Sequence, residues 1–177
     1  MVYQNYPTYK EGLDENLSVV WNKLIARSEA EYICLLNTDV LCEEDWLKKL
    51  IEVFKKEKNV GCVGPITNAC GDDEQKTAKT DHYFVVDTRM LSGFCMVFPK
   101  RIWEEVGGFD EEYKIYGEDS DFFYRVKKAG YRLLIRKDVF IHHFKGQSAI
   151  KARREGKDVF KLAAESARRF KNKCLRN

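Results

Sequence analysis

The run Tyr32-Ile-Cys-Leu-Leu36, closed by Asn37-Thr-Asp39, constrains this chain more than any other stretch. Consecutive apolar residues without alternation fit a strand covered on both faces, as in a parallel sheet. Helical patterns flank it. Leu17 to Ala30 places Leu17, Val20, Trp21, Leu24 and Ile25 on one face, with Asn16 set to cap it. Glu43 or Glu44 opens a second amphipathic helix carrying Trp46, Leu47, Leu50, Ile51 and Phe54, and Val60-Gly-Cys-Val-Gly-Pro65 gives the next strand and its turn. Helix, strand, helix, strand is the order of an α/β sheet with right-handed crossovers.

Residues Thr67 to Asp81 are polar and rich in Gly, Asp and Lys, a surface excursion of the kind that borders binding sites. Strands are expected over His82 to Asp87 and Leu91 to Phe98. In the latter, Gly93 interrupts an apolar run, as it does where a ligand or second backbone approaches closely. Arg101 to Val106 reads as a short helix ended by Gly107-Gly108. Asp119 to Ala129 reads as a helix with Phe122, Phe123, Val126 and Ala129 inward and Gly130 as its stop. Tyr131 to Ile135 and Val139 to His142 supply the late strands.

A length of 177 residues with 44% apolar content is enough for one well-filled domain and excludes disorder. No apolar run approaches the ~20 residues that cross a bilayer, and Met1 to Lys10 lacks a signal-like apolar segment. A soluble, cytoplasmic chain is expected. Cys34, Cys42, Cys62, Cys70, Cys95 and Cys174 form no Cys-x-x-Cys pair, so reduced thiols rather than structural zinc or a disulfide framework are expected. The net charge of +3 conceals an asymmetry: Lys151 to Asn177 holds ten basic and three acidic residues, +7, leaving −4 for residues 1–150. The chain therefore divides into a body, 1–150, and a basic amphipathic helix within 151–177. The stripe Phe160, Ala163, Ala167, Phe170 and Cys174 packs that helix on the body or on a partner chain. A basic helix also suits peripheral contact with an anionic membrane. Nucleic acid is not an expected partner, since the body is mildly acidic and carries no recognised module.

Three polar clusters could carry chemistry. Asp39 stands just past the end of a buried strand, where open α/β sheets form their binding crevice. Asn37 and Asp39 share a side if strand geometry persists, and such oxygen ligands suit Mg²⁺ or Mn²⁺ on a diphosphate. An Asx turn in which Asp39 caps the next segment explains the same residues. Glu118, Asp119 and Asp121 open a helix, where the dipole keeps a carboxylate ionised and fit to act as a general base; simple N-capping accounts for them equally. Arg125 pairs with Asp121 at i, i+4 or reaches a phosphate. His143 is either structural or a metal ligand completing a site begun by Asp39, while Lys145, Lys151 and Arg153 could screen a diphosphate.

In order along the chain, Glu15-Asn16 with Asn22, Tyr32 to Asp39 with Trp46-Leu47, and Val60 to Pro65 are followed by Leu91-Ser-Gly-Phe-Cys95 and Val106-Gly-Gly-Phe-Asp-Glu111. Gly117-Glu-Asp-Ser-Asp121 with Arg125, Ala129-Gly-Tyr131, and His143 with Ser148 complete the set. This ordered set resembles the family 2 glycosyltransferases of the GT-A fold from about Glu15 to Ser148. The resemblance implies a GT-A-like, Rossmann-like mixed sheet flanked by helices. It implies inverting transfer of a sugar from a nucleotide-diphosphate donor to an acceptor hydroxyl of a glycan, lipid-linked or protein acceptor. Asp39 would bind a divalent cation, Mn²⁺ or Mg²⁺, and the donor diphosphate, with Asn37 in place of a first acid and His143 assisting. Asp119 would be the acceptor base, with Glu118 as the alternative holder; Gly93 and Phe94 would wall the donor and acceptor sugars, and Arg125 would serve the donor. Family members begin with two further strands that hold the nucleotide, ending in a Pro-x-Tyr-Asn-like turn and an acidic turn. Pro7-Thr-Tyr9 echoes the first without its strand, so an N-terminally truncated fold is expected. A partner chain or second copy would then complete the donor site, or the chain would be a non-catalytic remnant or subunit that binds glycan or a partner protein.

Overall fold

The computed structural model describes residues 2–4, 17–71, 73–113, 116–144 and 158–175. Its strands are β1 (Val2–Gln4), β2 (Tyr32–Leu36), β3 (Val40–Cys42), β4 (Val60–Thr67), β5 (Val85–Thr88), β6 (Cys95–Pro99) and β7 (Arg132–His143). Its helices are α1 (Leu17–Arg27), α2 (Trp46–Lys56), α3 (Lys100–Glu105), α4 (Glu118–Lys128) and α5 (Val159–Leu175), with a 3-10 turn at Asp73–Gln75. The strands form one mixed sheet in the order β1-β2-β6-β4-β7-β3, with β5 also on β7. β1 is parallel to β2 and β4 to β7, while β6 runs antiparallel to both β2 and β4. On the other edge of β7, β5 pairs with Leu133 to Arg136 and β3 with Ile141 to His143.

Alternation along β2 divides the core. Ile33 and Leu35 pack with Trp21 and Ile25 of α1, Ile102 of α3, and Phe122, Phe123 and Val126 of α4. Cys34 and Leu36 face the other way, toward Leu50 and Val53 of α2. Helices α1, α3 and α4 thus cover one face of the sheet and α2 the other, which accounts for the unbroken apolar run of β2. Phe122 stacks on Phe109 at 4.5 Å, and burying each such ring contributes roughly 1.5–3 kcal/mol.

Several expectations move. β1 pairs with β2 although no strand is expected there, and β3 is a further unexpected strand; its use of Val40 to Cys42 delays α2 to Trp46, behind Asp45 in the left-handed region at φ 56°. α1 stops at Arg27, where the Ser28 N–H bonds the Ile25 carbonyl and its hydroxyl accepts from the Ala30 N–H. The strands expected at Tyr131–Ile135 and Val139–His142 are one. Arg136 and Asp138 break the apolar pattern but pair with each other at 2.9 Å, so the backbone continues, with an irregularity in its register against β4 between Arg136 and Phe140. Leu91 to Phe94 are not strand, because their backbone groups serve side chains and loops of the candidate site.

The face of α5 also rotates from its expected stripe. Phe160 and Ala167 are exposed, while Ala163, Phe170 and Cys174 of that stripe lie on the inner face with Leu162, Ser166, Arg169 and Lys173. It packs on the body, with Phe170 edge-on to Tyr124 at 6.0 Å. Asn16, Glu15, Pro7 to Tyr9, Lys145, Ser148, Lys151 and Arg153 lie outside the described residues. No helix among the described residues is long and apolar enough to cross a membrane.

Candidate active site

The carboxyl ends of β2, β4 and β7 meet at one end of the sheet, where strand geometry lapses and polar side chains take over. Asn37 follows β2, and its N–H donates to the Phe94 carbonyl at 2.8 Å. Asn68 follows β4 and clasps the end of β7: its carboxamide oxygen accepts from the His143 N–H at 2.7 Å and its amide donates to the His143 carbonyl at 3.1 Å. The Phe144 N–H donates to the Asp39 carbonyl at 2.9 Å, closing β3 against β7.

These contacts fix the His143 ring. Nδ1 lies 2.8 Å from the Ala69 carbonyl, which only accepts, so Nδ1 carries a proton and in the neutral imidazole Nε2 presents a lone pair. Nε2 lies 3.3 Å from Asp39 Oδ1 and 3.4 Å from Asn37 Nδ2, and Phe94 stacks on the ring at 5.0 Å. Two acceptors held 3.3 Å apart repel unless a proton or cation lies between them. Their separation is close to the ~3 Å between adjacent ligands of an octahedral ion with ~2.1 Å bonds, so Asp39 and His143 fit a divalent cation. With Asn37 they make two charged-or-imidazole donors and an amide; no group of three His, Cys, Asp or Glu ligands exists among the described residues.

One residue before Phe94, the Gly93 N–H donates to Asp119 Oδ2 at 2.9 Å. The other oxygen of Asp119 accepts from the Ser120 N–H at 2.7 Å and its hydroxyl at 3.3 Å. A Cβ at residue 93 would stand 2.7 Å from Asp119 Oδ2, so Gly is required for this approach. Asp119 therefore holds the Gly93 end of the dipeptide Gly93-Phe94, while the Asn37 N–H and the His143 ring, beside Asp39, hold the Phe94 end.

Asp119 and Ser120 line a cleft of about 490 Å³ with Asp73, Arg89, Leu91 and Ser92. Burial raises the Asp119 carboxyl against the opposing pull of its hydrogen bonds. Burial and the adjacent Asp119 charge push Glu118 up to about 8, and its Oε2 is buried without a hydrogen-bond partner. Desolvation outweighs the downward pull expected of a helix start, so both carboxyls lie above their ordinary values. A second cavity, of about 370 Å³, lies at the other end of the sheet beside Tyr32, Phe54, Glu57, Lys100 and Arg101, remote from these residues.

Among the described residues, Arg125 is an expected site residue that the fold directs elsewhere. Its Nε bonds Asp121 Oδ2 at 2.8 Å and its Nη1 the Val106 carbonyl, so the i, i+4 pairing prevails over a ligand role. Two contributors escaped the sequence reading. Asn68 carried only its place after a strand end. Gln75, fully buried, donates to the Pro65 carbonyl at 2.8 Å and accepts from the Ser92 N–H at 2.7 Å, tying the polar excursion to the cleft.

The mixed sheet flanked by helices is that of GT-A glycosyltransferases among solved structures. GalNAc-T7 with UDP, GalNAc and Mn²⁺ superposes with a TM-score of 0.61 at 15% identity over 73% of this chain and 30% of its own. The mannosyltransferase PcManGT of Pyrobaculum calidifontis, with GDP-Man and Mn²⁺, gives 0.56 at 20% identity over 77% and 39%. The chain belongs to glycosyl transferase family 2, whose pattern matches residues 11–140. It is also similar to an N-acetylglucosaminyl-diphospho-decaprenol L-rhamnosyltransferase of Mycobacterium tuberculosis, 38% identical over 58 residues. That match covers 33% of this chain and about a fifth, 19%, of the relative.

Proposed function

We propose that this chain transfers a sugar from a nucleotide-diphosphate donor to an acceptor hydroxyl with inversion, in one direct displacement. The observation that carries this reading is the meeting of Asp39 and His143 with Asp119 across Gly93-Phe94. Asp39 and His143 Nε2 would hold a divalent cation on the donor side. Bound there, that ion would neutralise charge developing on the departing diphosphate. Asp119 faces the cleft with one oxygen anchored by the Gly93 N–H, so its carboxylate is oriented to take the acceptor's proton as the hydroxyl attacks. The rhamnosyltransferase relative makes a lipid-linked saccharide the first acceptor class to test, and the solved neighbours make UDP and GDP the first nucleotides.

Titration calorimetry with UDP or GDP, with and without Mn²⁺, tests the donor side. Binding that requires Mn²⁺ and disappears in Asp39→Ala is expected. Asp119→Asn is expected to keep that binding and lose sugar transfer. Failure of both nucleotides to bind, or acceptor binding indifferent to metal and to Asp119→Asn, would overturn the proposal in favour of a non-catalytic module.

A further inference from the structure

α5 lies beyond the residues matched by the family pattern, yet it grips the turn that carries Asp119. Lys173 Nζ lies 2.6 Å from Asp121 Oδ1 and 3.0 Å from Asp110 Oδ2. Asp121 is wholly buried in the first turn of α4, and its other oxygen is held by Arg125. Arg169 bonds Asp110 Oδ2 at 2.9 Å, pairs with Glu112 and lies over the Tyr113 ring at 5.4 Å. Between these two anchor points, a Cβ at Gly117, where φ is +90°, would lie 3.1 Å from the Tyr113 ring and 3.5 Å from Ser166 Cβ. The far side of the 107–111 turn is tied to α1: Asn22 Oδ1 accepts from the Phe109 N–H at 2.9 Å and its amide donates to the Phe109 carbonyl at 2.8 Å.

We infer that α5 is a strap that sets the position of Asp119, with Lys173 and Arg169 as positioning residues acting through Asp121 and Asp110. A carboxylate as buried as Asp121 must keep cationic partners, because burying an uncompensated charge is strongly unfavourable. Without Lys173 the first turn of α4 rotates toward solvent or admits water. Asp119, two residues from Asp121, moves with it, off the Gly93 N–H. Asp110 is bound into the same clamp: although burial acts to raise it, the Glu112 N–H, Arg169 and Lys173 together hold its carboxyl down at about 2. This inference deepens the proposed function, since Asp119 is its base, but the strap itself does not depend on turnover.

The Gly93 amide proton is the reporter, because its acceptor is Asp119. Amide hydrogen exchange and the ¹H–¹⁵N resonance of Gly93 are measured in the full chain for wild type, Lys173→Met, Lys173→Arg and the double variant Arg169→Met/Lys173→Met. In the Met variants Gly93 exchange is expected to quicken by about tenfold or more while the β6 amides of Met96 to Phe98 keep their protection. Lys173→Arg is expected to restore the Gly93 rate and resonance. An unchanged Gly93 in Lys173→Met, or equal acceleration at Gly93 and in β6, would overturn the inference. Where sugar transfer is measurable, Lys173→Met is expected to lower kcat with the donor KM unchanged. Its absence in wild type would sink the function and leave the amide result standing.

Discussion

His143 Nε2 and Asp39 Oδ1 stand 3.3 Å apart, with the other ring nitrogen held by the Ala69 carbonyl. Such a pair favours positive charge between its members. His143→Ala is expected to abolish any rise in thermal midpoint on adding Mn²⁺, and Asn68→Ala to weaken it, because outer partners that fix a ligand's orientation typically contribute 10–100-fold in metal affinity. Differential scanning fluorimetry with and without Mn²⁺ measures both. Glu118 poses the opposite problem, a carboxyl pushed up to about 8 by burial and by Asp119. Its folded value lies above its unfolded value of about 4.3, so folding takes up a proton between them. The stability it contributes is complete below about pH 4.3 and is lost as pH rises through 8. Glu118→Gln is expected to flatten the fall in urea midpoint between pH 6 and pH 9 that wild type shows.

At the scale of elements, α4 meets the sheet through a glycine. A Cβ at Gly61 of β4 would collide with Val126 and stand 2.8 Å from Tyr131 Cβ. Gly61→Ala is expected to destabilise by about 2 kcal/mol, read as a lower urea midpoint, since overpacking a filled interface forces backbone shifts. The sequence shows this element as a helix because Phe122, Phe123 and Val126 recur at helical spacing, and it shows β2 because its apolar run is unbroken. β1 and β3 were hidden because three residues are too short to establish a period of two. The division of β7 had the same origin: Arg136 and Asp138 look like a break, and only their mutual pairing, with Glu52 at 2.8 Å, makes them a buried strand segment. Asp39, Asp119 and His143 were legible as acids and an imidazole at element ends. Gly93 was legible as a point of close approach, but its partner Asp119 was not, because a backbone N–H names no acceptor 26 residues away. The face of α5 was only partly legible: an apolar stripe was sought, and the inner face also holds Arg169 and Lys173, paired to acids far away in sequence.

The molecule as a whole separates two kinds of adhesion. The sheet and the helices α1 to α4 are joined by apolar contact on both faces. The helix α5 is joined mainly by charge, Arg169 and Lys173 resting on acids of the body, with Phe160 and Leu175 turned outward. Mobile ions weaken the second and spare the first, because the Debye length shrinks from about 10 Å at 0.1 M to about 3 Å at 1 M. Rising ionic strength is therefore expected to loosen α5 while the sheet stays intact, visible as protease cleavage after Arg168 or Lys171 appearing in strong brine ahead of any loss of tryptophan fluorescence shift. Lys173, sealed against Asp121, is the last link to yield. A chain built this way carries its own rheostat, one that the surrounding electrolyte turns.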